Sequence, residues 1–230
     1  SEAMNLEIGY SPAWSPDGTR LVFSNTQCDY YPTRLCAGSL VLMDPEIRQS
    51  VTLDGTSNGF APAWAPSGDR IAFLDDQDRL FVLVLDGSAA VQVPVSSPSV
   101  SSPTWSPDGR RIACLCSNAK GFVNVCTMNP DGSGLQRLTT DDIIPGKPAW
   151  SPDGRRIAFT TTIGSSQRIA VMAADGSGVV RLTDGFDVAW SRDGTKLVFA
   201  RADGLFTADV DGSNVKRLTT GQHREPAWRP

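Results

Sequence analysis

This sequence lacks much of what a catalyst, a membrane protein or a nucleic-acid binder needs. It has a single histidine, His223, which excludes a multi-histidine metal site, and no Cys-x-x-Cys spacing, which disfavours metal ligation by its cysteines. No apolar run approaches the length of about eighteen residues that spans a bilayer, so no membrane insertion is expected. Basic residues are not in excess: 21 Lys and Arg face 25 Asp and Glu, for a net charge of -4. That balance argues against binding nucleic-acid phosphates. Helical periodicity is absent throughout. No signal peptide is visible, but Ser1-Glu2-Ala3-Met4 reads as a cloning remnant, so this says nothing about the compartment.

The chain has an ordinary globular balance, with 40% hydrophobic and 20% charged residues over 230 positions, enough for one large domain over 1–230. Five cysteines are present. Cys28 and Cys36 bracket one polar loop, and Cys116 and Cys126 flank a short connector. Pairs that close small loops suggest disulfides and an oxidising compartment, periplasmic or extracellular.

All six tryptophans belong to one repeated motif. Pro12-Ala13-Trp14-Ser15-Pro16-Asp17-Gly18 recurs around Trp64, Trp105, Trp150 and Trp190, and the chain ends on Pro226-Ala227-Trp228-Arg229-Pro230. The tryptophans are spaced by 50, 41, 45, 40 and 38 residues, the length of a four-stranded propeller blade. Within each copy a tryptophan strand (A) leads into a Pro-Asp-Gly turn, where proline presets φ and glycine accepts a positive one. Strand B follows at 20–23, 70–73, 111–114, 156–159 and 196–199, and strand C after it. An Asp-Gly-Ser hairpin turn, as at Asp131, Asp175 and Asp211, then leads to strand D. Cys114 stands where the other copies carry phenylalanine, which makes it a buried thiol acting as a small hydrophobe.

Strands B and C are apolar on both faces, so their sheets must be covered on both sides, as stacked blades are. The expected fold is an all-β propeller with five complete blades at about 11–53, 61–95, 102–139, 147–183 and 187–219. A partial sixth blade would form from the termini, with 226–230 as its closing strand; closure at five is the alternative. A solenoid or sandwich fits the pattern less well. The tryptophans are expected in the core.

Pro-Ala-Trp-Ser-Pro-Asp-Gly, followed by Asp-Gly-Ser and Arg-Leu-Thr, resembles the WD-like repeat of the TolB family, from about Tyr10 to Pro230. The resemblance implies a six-bladed propeller, in which a C-terminal Pro-Ala-Trp strand completes a blade begun at the N-terminus. Here only Asn5 to Gly9 precedes the first tryptophan motif, enough for one strand. The family's best-known partner, a cell-envelope lipoprotein, is implied only by resemblance. The family's separate N-terminal domain has no counterpart in this sequence.

Strand alternation places the B–C and D–A loops on one rim, and these vary most, as binding loops on a rigid scaffold do. The first B–C loop, 25–39, is the outlier, carrying Tyr30, Tyr31 and Arg34 between Cys28 and Cys36. Tyrosine and arginine are enriched at binding hot spots, and a cross-link would preorganise them. The D–A loops add Phe60, Asp141, Asp142, Asp187 and Arg224. Gly55-Thr56-Ser57-Asn58-Gly59 matches G-x-S-x-G, but that elbow needs a strand-to-helix turn. Asp209-Val210-Asp211-Gly212 lacks the glutamate of a calcium loop and reads as the hairpin turn. The expectation is a non-catalytic scaffold, with no catalytic residues and no cofactor, that binds a protein or peptide partner on this rim. The alternative is the propeller portion of a peptidase or glycan-acting enzyme, for which Asp141 and Asp187 would be the acid–base pair.

Overall fold

The computed structural model describes residues 10–29, 35–140, 144–221 and 226. Among the described residues there are strands and turns and no helix. The first sheet is β1 (Tyr10–Trp14), β2 (Leu21–Ser24), β5 (Leu40–Asp44) and β6 (Gln49–Thr52). Its B–C connection builds a separate two-stranded hairpin, β3 (Gln27–Asp29) and β4 (Leu35–Ala37). The second sheet is β7 (Phe60–Trp64), β8 (Arg70–Leu74), β9 (Leu80–Val84) and β10 (Val91–Gln92). The third is β11 (Val100–Trp105), β12 (Ile112–Ser117), β13 (Val123–Met128) and β14 (Gln136–Arg137). In the fourth, strand A is interrupted into β15 (Ile144–Pro145) and β16 (Ala149–Trp150), both paired with β17 (Arg156–Ile163), and β18 (Ser166–Ala173) and β19 (Val180–Asp184) follow. The fifth is β20 (Phe186–Trp190), β21 (Lys196–Arg201), β22 (Gly204–Asp209) and β23 (Lys216–Arg217). These are the five antiparallel four-stranded blades of a β-propeller, each in the order A-B-C-D. Residues 5–9 and 227–230, expected to begin and close a sixth blade, lie outside the described residues.

The chain forms two compact units, Ser1–Pro94 with the first two blades and Val95–Pro230 with the other three. In the first unit, Val22, Leu40, Trp64, Ile71, Phe73 and Leu83 form one buried cluster across the two blades. In the second unit one cluster joins Phe159 and Met172 to Val125 and Leu138, and another joins Ile169 to Trp190 and Phe199. Strand B is buried on both faces, as its unbroken apolar run requires, while strand C is mostly buried in the third and fifth blades and only half-buried in the first two. Strand D is an edge, and in three blades its regular strand is two residues long, with the N–H of the next residue, Val93, Leu138 or Leu218, also donating to a strand-C carbonyl.

The Ser-Pro-Asp-Gly turn fixes itself through one shared serine. Ser15, Ser106, Ser151 and Ser191 each donate through Oγ to the aspartate two residues on, at 2.5–2.6 Å. The same Oγ accepts from the backbone N–H that opens strand B, at 2.9 Å. These carboxylates sit below the usual range, Asp17 and Asp193 at about 2, because first the serine hydroxyl and then backbone N–H groups donate to the charged form.

Strand A carries a β-bulge that sequence reading did not anticipate. Register slips by one residue just before the tryptophan in four blades. The residue at the slip is left-handed: Ser11 at φ 51, Ala61 at 50, Ser102 at 51 and Asp187 at 52.

Trp64, Trp105 and Trp190 are buried, and two of their indoles tie blade to blade. Trp64 Nε1 donates to the Ala13 carbonyl at 3.1 Å, and Trp190 Nε1 to the Ala149 carbonyl at 3.0 Å. Above each ring lies a guanidinium from the preceding blade, Arg20 at 5.2 Å from Trp64 and Arg156 at 4.8 Å from Trp190. Cys114 is fully buried, with its thiol pushed up to about 12 by desolvation. Cys116 and Cys126 form a disulfide with Cα atoms 5.9 Å apart. It runs diagonally, since the residue directly opposite Cys126 is Cys114.

Candidate functional site

In the first unit the rim is built on a fixed footing. Gly38 has φ +146, and a Cβ there would stand 2.3 Å from the Thr26 Cα, so only glycine closes the foot of the β3–β4 hairpin. Asn25 locks that foot, donating its N–H to the Ser39 carbonyl at 3.1 Å and accepting from the Ser39 N–H at 2.7 Å. The hairpin register sets Cys28 opposite Cys36. Tyr30, Tyr31 and Arg34, at its tip, lie outside the described residues, as does the Cys28 side chain.

The D–A loop leading to Phe60 is equally constrained. The Gly59 carbonyl accepts from Ser24 Oγ at 2.7 Å and Thr26 Oγ1 at 2.8 Å. Thr56 Oγ1 donates to the Leu53 carbonyl and accepts from the Leu40 N–H. The G-x-S-x-G look-alike is therefore a hydrogen-bonded loop between strands. Phe60, half-buried, pairs with Leu74 where β7 begins. In the neighbouring B–C turn, buried Asp75 accepts the Nε and Nη2 of Arg79 and the backbone N–H groups of Gln77 and Arg79. Desolvation would raise its pKa; the bonds from Arg79 and Gln77 outweigh that and lower it.

In the second unit Asp187 lines a polar cavity of about 290 Å³. Strand ends converge there: Thr160 and Thr162 from β17, Gln167 from β18, Phe186 and Asp187 from β20, and Gly146 after β15. Thr160 Oγ1 accepts from the Asp187 N–H at 3.2 Å, which holds the left-handed bulge residue at the cavity wall. Two hydroxyls, an amide and a carboxylate beside an aromatic ring suit a hydrogen-bonding polar group. Sequence reading picked out Asp187 but missed Thr160, Thr162 and Gln167; the alternation of strand positions past Phe159 was their only signal. Asp141, Asp142 and Arg224 lie outside the described residues. Among the described residues no group of three or more His, Cys, Asp or Glu could hold a metal.

Comparison with known proteins agrees with this architecture. The family model of the TolB beta propeller domain matches residues 39–230. No curated protein matches. Among solved structures, TolB from Acinetobacter baumannii superposes with a TM-score of 0.77 at 22% identity, over 97% of this chain and 58% of that one. The putative TolB from Agrobacterium tumefaciens gives 0.75 at 25% identity, over 94% of this chain and 83% of that one. A gluconolactonase from Xanthomonas campestris shares the fold at 0.65 and 20% identity, over 94% and 77%. The chain thus spans little more than half of the Acinetobacter protein. With the family model covering most of its length, the chain belongs to the TolB β-propeller domain family.

Proposed function

We propose that this chain is a non-catalytic scaffold that recognises a protein or peptide partner on the rim carrying the B–C and D–A loops, in the periplasm or outside the cell. The observation that carries the reading is the β3–β4 hairpin. In no other blade does the described B–C connection form a sheet of its own. This hairpin stands on a fixed foot, and the sequence between its two strands carries Tyr30, Tyr31 and Arg34, residue types that dominate hot spots. A Cys28–Cys36 cross-link would limit the ordering cost on binding. The Cys116–Cys126 disulfide supports an oxidising compartment. Titratable groups at the Asp187 cavity do not form a paired acid and base among the described residues, and a polar recognition pocket accounts for its lining. A partner from the cell envelope is the first to test. Capture from a native envelope extract, followed by titration of wild type and the Tyr30→Ala/Tyr31→Ala double variant, tests the reading.

A further inference from the structure

Two blades carry the same pair of hydroxyls at the end of strand B, and only one of them uses both. Phe23 leads into Ser24-Asn25-Thr26 and Phe159 into Thr160-Thr161-Thr162, where the other three blades place Leu74 and Asp76, Leu115 and Ser117, or Ala200 and Ala202. In the first unit Ser24 Oγ and Thr26 Oγ1 both donate to the Gly59 carbonyl, at 2.7 and 2.8 Å, and so close their seam. The counterpart of Gly59, five residues before the next tryptophan, is Gly185 in the second unit. Gly185 alone joins β19 to β20, whereas Leu53 to Gly59 join β6 to β7. So short a connection cannot fold back over the seam, and neither threonine donates to it.

Thr160, 5% exposed, accepts from the Asp187 N–H, and its own hydroxyl proton meets no acceptor among the described residues. Thr162 and the Gln167 side chain make no hydrogen bond among the described residues. Register sets Thr162 directly opposite Gln167, so the two side chains share one sheet face with Thr160. That face lines the cavity of about 290 Å³, with Phe186 and Asp187 across it. Thr162, Phe186 and Asp187 are half-buried and Gln167 is exposed, so a group entering the cavity reaches them.

The first seam shows which group satisfies such hydroxyls, since a peptide carbonyl lies between them there. A volume of about 290 Å³ is the share of about ten waters, room for one side chain rather than a run of backbone. The Asp187 carboxylate calls for a donor and repels an anion. A lysine or arginine head brings donors without an acceptor, and a carboxylate brings acceptors without a donor; a carboxamide brings both.

We propose that this cavity takes the carboxamide of an asparagine or glutamine side chain, its carbonyl accepting from Thr162 and Gln167 and its NH2 group donating to Asp187. The proposal rests on the reading of this rim as a peptide-binding surface and names the side chain that the second unit selects.

The test is nuclear magnetic resonance titration of the whole chain, reading the Gln167 side-chain amide signal, which is assigned by its loss in Gln167→Leu. The probes are acetyl-Gly-Asn-Gly-amide, its apolar counterpart acetyl-Gly-Leu-Gly-amide, and N-acetylglucosamine, which carries an amide on a sugar. A saturable shift is expected with the asparagine peptide, and binding at least about tenfold weaker with leucine, which forfeits more than one hydrogen bond. Thr162→Val, which removes the hydroxyl at constant shape, should weaken the asparagine peptide about fivefold, the scale of one net hydrogen bond. Thr26→Val, at the seam that satisfies itself, should leave its affinity unchanged. The inference is overturned if the Gln167 signal does not shift, if leucine binds as well as asparagine, if Thr162→Val binds as wild type, or if Thr26→Val weakens binding equally. Tighter binding of N-acetylglucosamine than of the asparagine peptide overturns it in favour of a glycan. The probes need neither Tyr30 nor Tyr31, so this titration can fail while the tyrosine variant still loses its partner, and the reverse.

Discussion

Replacing tryptophan by phenylalanine at two equivalent positions should have unequal effects. Trp190→Phe removes the indole bond to the Ala149 carbonyl, worth about 1 kcal/mol net, and leaves that acceptor without this donor. It also weakens the stack of Arg156, 4.8 Å from the ring, by about 0.5 kcal/mol, since indole is the better cation–π face. Trp150→Phe loses neither interaction, because its N–H is unpartnered, and it removes an unsatisfied buried donor. Both variants share the smaller ring and the small cavity it leaves. Trp190→Phe should therefore be less stable than Trp150→Phe by roughly 1–2 kcal/mol. In urea unfolding this separates the midpoints by about 0.5 M at a slope of about 3 kcal/mol/M. Equal midpoints, or a lower one for Trp150→Phe, would show that the indole ties do not hold blade to blade.

Acid should weaken the fold through its turns. Asp17 and Asp193 titrate at about 2 in the folded chain, below the unfolded value of 3.8, so their contribution is complete above the unfolded value and is lost as pH falls toward 2. Melting temperature measured from pH 5 to pH 2 should fall less steeply for Asp17→Asn/Asp193→Asn than for wild type, and parallel curves would refute the assignment. Breaking the Cys116–Cys126 bridge, which closes a sequence separation of 10, should cost about 2–3 kcal/mol by loop entropy. Cys114 should react with an alkylating reagent only after unfolding, which mass spectrometry reads directly; rapid labelling of native protein would contradict its burial. Ala61→Gly should raise stability by roughly 0.5 kcal/mol, since relief of a left-handed alanine outweighs the entropy of the new glycine; a lower melting temperature would argue against the bulge geometry there.

The five complete blades, the B and C strands and the turns were legible because each is dictated locally: proline and glycine set the turn, and apolar runs set the covered strands. Cys114 was legible too, through its register with Phe23, Phe73, Phe159 and Phe199. The strand-A bulge was not, because Ser11, Ala61, Ser102 and Asp187 share no residue type that announces a positive φ. Nor was the unpartnered indole N–H of Trp150, whose own motif is identical to that of Trp14. The difference lies one repeat earlier, at Thr104, and in a hydrogen bond that only three dimensions can withhold. At the rim, Asp187 was recognisable as a loop residue next to a strand. Its companions Thr160, Thr162 and Gln167 look like ordinary strand ends until the chain is folded.

The role of the first-blade hairpin is tested most directly by its two tyrosines. With a partner captured from native extract, calorimetric titration should show Tyr30→Ala/Tyr31→Ala weakening binding by at least ~2 kcal/mol, the scale of a hot spot. The melting temperature should stay at the wild-type value, because the hairpin forms a sheet apart from the four-stranded blade. Affinity equal to wild type in that stably folded variant would contradict the account.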